Sequence, residues 1–249
     1  MFCCVVVSFV VGYLVCLVMP DLRRRAFAAY MDYFTKAIDP MYETFKKEVF
    51  GPIKDIKSKI PELQKKHAIR ILEIGVGTGT NFQFYPEGCH LVVVDPNPHF
   101  KKYYDANRAK FPQIKSEEII VAGGENMDMV ADNSIDVVVI SLVLCSVNST
   151  QQILQQVRRV LVPGGKLFFV EHIGEWDTKK HNFKKMFQDI FTYLRIWPYL
   201  FDGCELTRDT LKELEQAGFS KLNAKRKYAP IEHSFFQILN PHVVGNATK

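Results

Sequence analysis

The chain predicts an α/β fold, a doubly wound and mostly parallel sheet with helices on both faces. Two observations carry this expectation. Short apolar, β-branched runs recur along the chain, among them Ile69–Leu72, Leu91–Asp95 and Ile135–Ile140, separated by stretches with helix or turn patterning. The first run then passes through Glu73-Ile74-Gly75-Val76-Gly77-Thr78-Gly79-Thr80 into Asn81-Phe82-Gln83-Phe84, which reads as a first helical turn. A strand that ends in a glycine loop and opens a helix is a ligand cradle. The glycines let the backbone approach a ligand, and the helix N-terminus offers unpaired N–H groups.

The totals agree with this reading. A chain of 249 residues fits one large α/β domain plus a short extension, and 47% hydrophobic residues permit a sizeable core. Much of the +5 charge sits in local clusters, Arg23-Arg24-Arg25 and Lys225-Arg226-Lys227. No basic stripe interleaved with aromatics is present, so no nucleic-acid partner is expected. The six cysteines form no C-x-x-C pair and no disulfide-framework spacing, which points to reduced thiols in the cytosol.

The elements follow in order. Phe2 to Met19 is almost wholly apolar and uncharged, and Arg23-Arg24-Arg25 follow closely. Spanning a bilayer takes roughly 20 apolar residues, with a lower limit near 17. A signal peptide would carry its positive charge ahead of the apolar run, so an uncleaved anchor helix is expected, spanning or lying in one leaflet. The arginines would keep the rest of the chain cytosolic. Ala26 to Phe50 carries aromatics at spacings near three and four. It predicts an amphipathic helix interrupted near Asp39-Pro40, packed on the domain, closing a pocket, or resting on a membrane interface. The organisation is then 1–25 anchor and basic flank, 26–66 amphipathic helical segment, and 67–249 ligand-binding domain.

Pro96-Asn97-Pro98 leads a helix to about Lys110, and Ser116–Val121 is a third strand ending in Ala122-Gly123-Gly124-Glu125-Asn126-Met127. Ile135–Ile140 is a central strand. It runs into Ser141-Leu142-Val143-Leu144-Cys145-Ser146 at the carboxyl edge, where open α/β sheets bind ligands. Ser149 is the expected N-cap of a helix Gln151–Leu161 that ends at Pro163-Gly164-Gly165. Lys166–Val170 is a fifth strand, followed by Glu171-His172. Asn182–Leu200 and Thr207–Ala217 read as helical, and Gly218-Phe219 leads into a strand after Ser220.

The glycine spacing selects the ligand. A dinucleotide site uses G-x-G-x-x-G to seat a pyrophosphate, which disfavours a nicotinamide oxidoreductase here. The glycines run G-x-G-x-G, Glu73 precedes them, and Asp95 ends the next strand. Glu73 would attract a cation such as a methionyl amino group, and Asp95 can accept both hydroxyls of a ribose. An acid, three alternating glycines and a second acid resemble the S-adenosylmethionine (SAM) site of class I methyltransferases. That resemblance implies a Rossmann-like, seven-stranded mixed sheet, with Glu232–Val244 supplying an antiparallel strand at its edge. The cofactor residues implied are Glu73, Gly75, Gly77, Gly79, Asp95, Asn97, Gly124, Glu125, Asn126, Ser141 and Leu142. In many relatives an acid in the turn after the third strand binds the adenine amine. The aligned position here is Gly123, so Gly124, Glu125 or Asn126 must supply that contact.

The resemblance narrows further on Asn81-Phe82-Gln83-Phe84-Tyr85-Pro86, Val94-Asp95-Pro96-Asn97-Pro98, Gly124-Glu125-Asn126-Met127, Leu142-Val143-Leu144-Cys145-Ser146-Val147, Val162-Pro163-Gly164-Gly165 and Phe201-Asp202-Gly203-Cys204. These words are similar to those of the membrane-anchored methyltransferase-like alkyl-thiol S-methyltransferases. The resemblance implies methyl transfer from SAM to a small apolar thiol, at the endoplasmic reticulum membrane or a lipid-droplet surface, with the catalytic domain facing the cytosol. Alternatives are a lipid, quinone or other apolar acceptor, or a non-catalytic membrane interaction protein. Methyl transfer needs little catalytic apparatus, since the sulfonium leaving group departs neutral. The candidate helpers are His172, which follows the fifth strand, and Asp202. Cys145 reads more simply as a small buried hydrophobe. The histidines are scattered and the cysteines unpaired, so no metal site is expected.

Overall fold

The computed structural model describes residues 19–116, 119–232 and 234–249. The strands are β1 (Arg70–Ile74), β2 (His90–Val94), β3 (Lys115–Ser116), β4 (Ile135–Ser141), β5 (Leu161–His172), β6 (Lys221–Tyr228) and β7 (Pro241–Thr248). They form one sheet in the order β3-β2-β1-β4-β5-β7-β6. Six strands have five residues or more, and the two-residue β3 is a seventh at one edge. β1 to β5 pair in parallel, while β7 is antiparallel to both β5 and β6. The Rossmann-like architecture is therefore as expected.

Period-two alternation along fully buried strands builds two cores. Ile71, Leu91, Val93, Val137 and Val139 face one layer; Leu72, Val92, Val94, Val138 and Ile140 face the other. The helices are α1 (Pro20–Phe50), α2 (Pro61–Gln64), α3 (Lys101–Arg108), α4 (Thr150–Val160), α5 (Asn182–Tyr193), α6 (Ile196–Leu200) and α7 (Thr210–Gln216). Ile153, Leu154, Val157 and Val160 of α4 and Leu214 of α7 cover the second layer. Tyr42, Val49 and Phe50 of α1 and Tyr104 of α3 cover the first.

Several expectations change. No α-helix follows the glycine loop; the chain makes a single 3₁₀ turn, Phe82–Phe84. Pro86 closes off the segment, and the space is filled by aromatic rings, Phe50 against Phe84 at 5.8 Å and Phe82 against Tyr104 at 5.6 Å. Helix α1 runs unbroken through Pro40, because both of its halves are docked on the domain and tertiary packing outweighs one lost backbone bond. The Pro163-Gly164-Gly165 stretch is no loop: β5 starts at Leu161, immediately after α4, with a register shift opposite Ile135–Val137. The predicted helix 182–200 is split at Arg195, which has left-handed φ of 58°. The Glu232–Val244 stretch forms a 3₁₀ turn, Ser234–Leu239, before β7, and β7 lies inside the sheet. The edge belongs to β6, whose lysines and arginine blunt it against further pairing. Ser149 caps α4 as expected, its Oγ accepting from the Gln152 N–H at 3.2 Å.

The proposed anchor Phe2–Met19 falls, but for Met19, outside the described residues. Among the described residues no helix is long and apolar enough to cross a membrane.

One buried carboxylate ties the segment ahead of β1 to the strand's first residue. Asp136, at the start of β4, accepts from Ser58 Oγ (2.8 Å), Lys59 N–H (2.8 Å) and Arg70 N–H (3.0 Å). Asp136→Ala strands these donors and is expected to cost about 2–3 kcal/mol, read as a urea midpoint lower by about 1 M with m unchanged.

Candidate functional site

The loops at the carboxyl ends of β1, β2, β4 and β5 surround a cavity of ≈ 370 Å³, and α1 lies across it. Such an edge is where an open α/β sheet presents its ligand site. Helix α1 contributes Phe27, Met31, Phe34, Thr35, Tyr42 and Lys46 to the wall. It is fastened along its length. Arg23 pairs with Asp202 at 3.1 Å, Asn97 Nδ2 donates to the Arg24 carbonyl at 3.0 Å, and Lys46 Nζ donates to Thr80 Oγ1 at 2.7 Å. The Tyr42 hydroxyl meets His242 Nε2 at 2.5 Å. The aromatic helix therefore both packs on the domain and closes the pocket, two roles that periodicity alone left as alternatives.

The glycine loop is backbone-limited. Gly75, Gly77 and Gly79 all have positive φ. A Cβ on Gly75 would lie 2.3 Å from Val143, and one on Gly79 would lie 2.4 Å from the Phe82 ring. Asp95 organises the loop from the side: its carboxylate accepts from the N–H groups of Gly77 (2.9 Å) and Asn97 (2.8 Å). Burial pushes its pKa up to about 6.

Of the cofactor residues expected from sequence, Gly75, Gly77, Asp95, Asn97, Gly124, Glu125, Ser141 and Leu142 line the cavity; Glu73, Gly79 and Asn126 do not. Glu73 is buried beneath the loop, where its oxygens accept from Asn81 Nδ2 (2.7 Å) and the Tyr85 hydroxyl (2.8 Å). Burial raises its pKa to about 7. Gly79 turns the chain over Phe82, and Asn126 caps its own turn by accepting from the Asp128 N–H at 3.3 Å. Glu125 reaches back, so that a Cβ on Gly123 would stand 2.9 Å from its Oε2. Its Oε1 accepts from the Asn148 N–H at 3.0 Å.

Both acceptor-side candidates line the cavity as well. Asp202, in a left-handed turn at φ 47°, is engaged by Arg23 of α1. His172 is buried, with Nε2 2.9 Å from Cys204 Sγ and Nδ1 lacking a partner among the described residues. Tyr42 of the aromatic helix lies near them, and Ile231, Leu239 and His242, which no local pattern announced, complete the wall. His242 donates from Nδ1 to the Asn240 carbonyl (3.0 Å), which leaves Nε2 to accept from Tyr42; burial holds its pKa down at about 3, so it stays neutral. Behind them, the buried Glu171 carboxylate accepts from the Val143 N–H at 2.9 Å and fixes the segment after β4. Its pKa is also raised by burial, to about 7.

The polar, glycine-lined half is suited to a nucleoside with a charged tail, and the other half combines apolar and aromatic side chains with His172, His242 and Asp202. Comparison with known proteins agrees. A methyltransferase-domain family model matches residues 72–169. Human thiol S-methyltransferase TMT1B is 40% identical over 228 residues, covering 92% of this chain and 88% of that protein. Human thiol S-methyltransferase TMT1A is 38% identical over 227 residues, covering 91% and 87%. Two solved structures share the fold. A SAM-dependent methyltransferase from Thermotoga maritima has TM-score 0.53 at 15% identity, covering 88% of this chain and 98% of that one. A methyltransferase solved in complex with the Haloferax volcanii Trm112 activator has TM-score 0.61 at 13% identity, covering 90% and 96%. With the loop, the two acids and the sheet in place, the chain is a SAM-dependent methyltransferase and belongs to the family that includes the thiol S-methyltransferases TMT1A and TMT1B.

Proposed function

We propose that the protein transfers the methyl group of SAM to the sulfur of a small alkyl thiol. The observation that carries this reading is a cavity with two chemistries under helix α1. The glycine loop, Asp95 and Glu125 form one part; Phe34, Tyr42, Ile231, Leu239, His242 and His172 form the other. The thiol S-methyltransferase names of the relatives support the acceptor class.

Asp95 takes the ribose hydroxyls, each of its oxygens keeping a lone pair beyond the backbone bond it already accepts. Glu125 faces the adenine, with the backbone of Gly124 beside it. The loop around Gly75 and Gly77 and the Ser141-Leu142 segment hold the methionyl part. Glu73 acts at one remove: it holds the amide of Asn81, a cavity residue whose buried Oδ1 has no partner among the described residues. That oxygen is the acceptor offered to the methionyl ammonium. Asp202 steadies α1 through Arg23, and His172 meets the acceptor.

The reaction asks for little more. The leaving group is a neutral thioether, so no acid expels it. The nucleophile is the thiolate, from a thiol whose free pKa is near 8.5. Holding it in line behind the methyl carbon in a water-poor cavity supplies roughly 7–11 kcal/mol of barrier reduction. The uncharged apolar stretch Phe2–Met19, followed by Arg23-Arg24-Arg25, supports work at a membrane or lipid-droplet surface, the endoplasmic reticulum included, with the catalytic domain on the cytosolic side.

Labelled SAM and a small aliphatic thiol, given to the membrane-bound protein, should yield labelled methyl thioether. Asp95→Ala should abolish it, with SAM affinity down at least ~100-fold as two charge-assisted contacts are lost, while the protein stays folded. Product from a lipid or quinone acceptor alone would move the assignment. A second expectation concerns pH. With its pKa raised to about 6, Asp95 takes up a proton as pH falls through that value. SAM affinity should therefore be level above about 6 and weaken below it, and Asp95→Asn should remove the dependence; calorimetric titration across pH 5 to 8 checks this. Finally, deleting residues 1–25 should release the protein from microsomes; a deletion that still pellets places the membrane contact elsewhere.

A further inference from the structure

Three soft ligands that lie far apart in the chain converge beside the acceptor half of the cavity. Cys145 Sγ, a ring nitrogen of His172 and Cys204 Sγ all fall within 4.8 Å of one another, and all three residues are buried. They come from different parts of the fold: the segment after β4, the end of β5, and the turn after α6. His172 itself lines the cavity, as do Ser146 and Asp202, the near neighbours of the two cysteines. Tetrahedral zinc with thiolate and imidazole ligands sets its donor atoms about 3.5–3.8 Å apart. The observed 2.9 Å between Cys204 Sγ and His172 Nε2 needs to open by only about half an ångström to meet that.

Polar groups lie against both sulfurs. Trp197 Nε1–H donates to Cys204 Sγ at 3.3 Å, and an indole N–H has no other role than donor. Ser146 Oγ lies 3.4 Å from Cys145 Sγ and can donate to it. Glu171, adjacent to His172, is fixed by the backbone around Val143, so the cluster is held from behind by residues that cannot easily shift.

We propose that Cys145, His172 and Cys204 bind one zinc ion, and that the fourth position takes the sulfur of the acceptor thiol. This rests on the thiol-methyltransferase reading and deepens it. A three-ligand Cys₂His set leaves a tetrahedral zinc one open position, the arrangement of catalytic rather than structural sites. A coordinated thiol is deprotonated outright. The thiol R–SH would lose its proton to water on binding and remain as thiolate. Its electron pair then forms the new carbon–sulfur bond while the bond from the methyl carbon to the sulfonium sulfur breaks. The products are the methyl thioether and the neutral demethylated cofactor. No electron is gained or lost by the metal. His172 serves here as a ligand, and the acceptor is activated without a separate base.

The test uses the purified full-length chain. After zinc loading and desalting, metal analysis should find one zinc per chain, falling to a trace in Cys145→Ser and in Cys204→Ser. Unchanged SAM affinity in both variants shows that they are folded. Trp197→Phe, which removes the donor to Cys204, should weaken zinc binding by about 10–100-fold. Cobalt(II) in place of zinc should give a thiolate-to-cobalt charge-transfer band, and adding a small alkyl thiol should shift the visible bands. A chain that methylates thiol at full rate without bound metal overturns the zinc site and leaves the proposed function standing. So does an isolated Cys145–Cys204 disulfide in the active protein. Bound cobalt whose spectrum ignores the thiol overturns the acceptor position. A spectral shift without methyl transfer upholds the site and sinks the proposed function instead.

Discussion

The Tyr42 hydroxyl and His242 Nε2 are separated by 200 positions in the chain and by 2.5 Å in space. Their roles are set by a third group: the Asn240 carbonyl takes the Nδ1 proton, so Nε2 is left as acceptor. Burial keeps the imidazole neutral and the phenol protonated, which preserves the donor and acceptor pairing over the working pH range. This contact pins the C-terminal half of α1 to β7. The N-terminal half is pinned by Arg23 on Asp202 and by Asn97 on the Arg24 carbonyl. The cavity exists because α1 is stretched between those points over the carboxyl edge of the sheet.

Buried carboxylates recur at both edges of the sheet, each answered by fixed donors. Asp136 ties the approach to β1, Glu73 ties the turn after the glycine loop, Asp95 ties the loop to β2, and Glu171 ties the segment after β4. A carboxylate in this setting is stable only when its donors do not move, since losing one leaves a buried charge unpaired. Loops built this way are stiff. A stiff frame suits a reaction whose main demand is alignment of three atoms in a line.

The parts of the site that were legible in the sequence are those carried by neighbours in the chain. The strand–glycine–strand pattern singled out Gly75, Gly77 and Asp95, which line the cavity, because positive φ and strand-end position are local properties. Glu73 was found by pattern, yet its task differs: it faces Asn81 and Tyr85 beneath the loop, and Asn81 is the residue at the wall. Glu125 was named only as a substitute for a missing acid, and its reach over Gly123 is a matter of side-chain conformation. The helix expected after the glycine loop failed for a physical reason. Pro86 leaves too little chain for an α-helix, and aromatic packing against Phe50 filled the same space.

By itself the sequence determined the α/β class, the order of the parallel strands' apolar runs, the glycine loop with its two acids, and hence the cofactor. The class, the runs and the loop follow from periodicity, backbone freedom and charge within a few residues of one another; the cofactor follows from the resemblance of that loop and its acids to class I methyltransferases. Only the tertiary structure decided that α1 roofs the cavity, that β7 enters the sheet between β5 and β6, and that Cys145, His172 and Cys204 meet. Those depend on crossovers that bring distant segments to one edge, and no local pattern records which segments will arrive there.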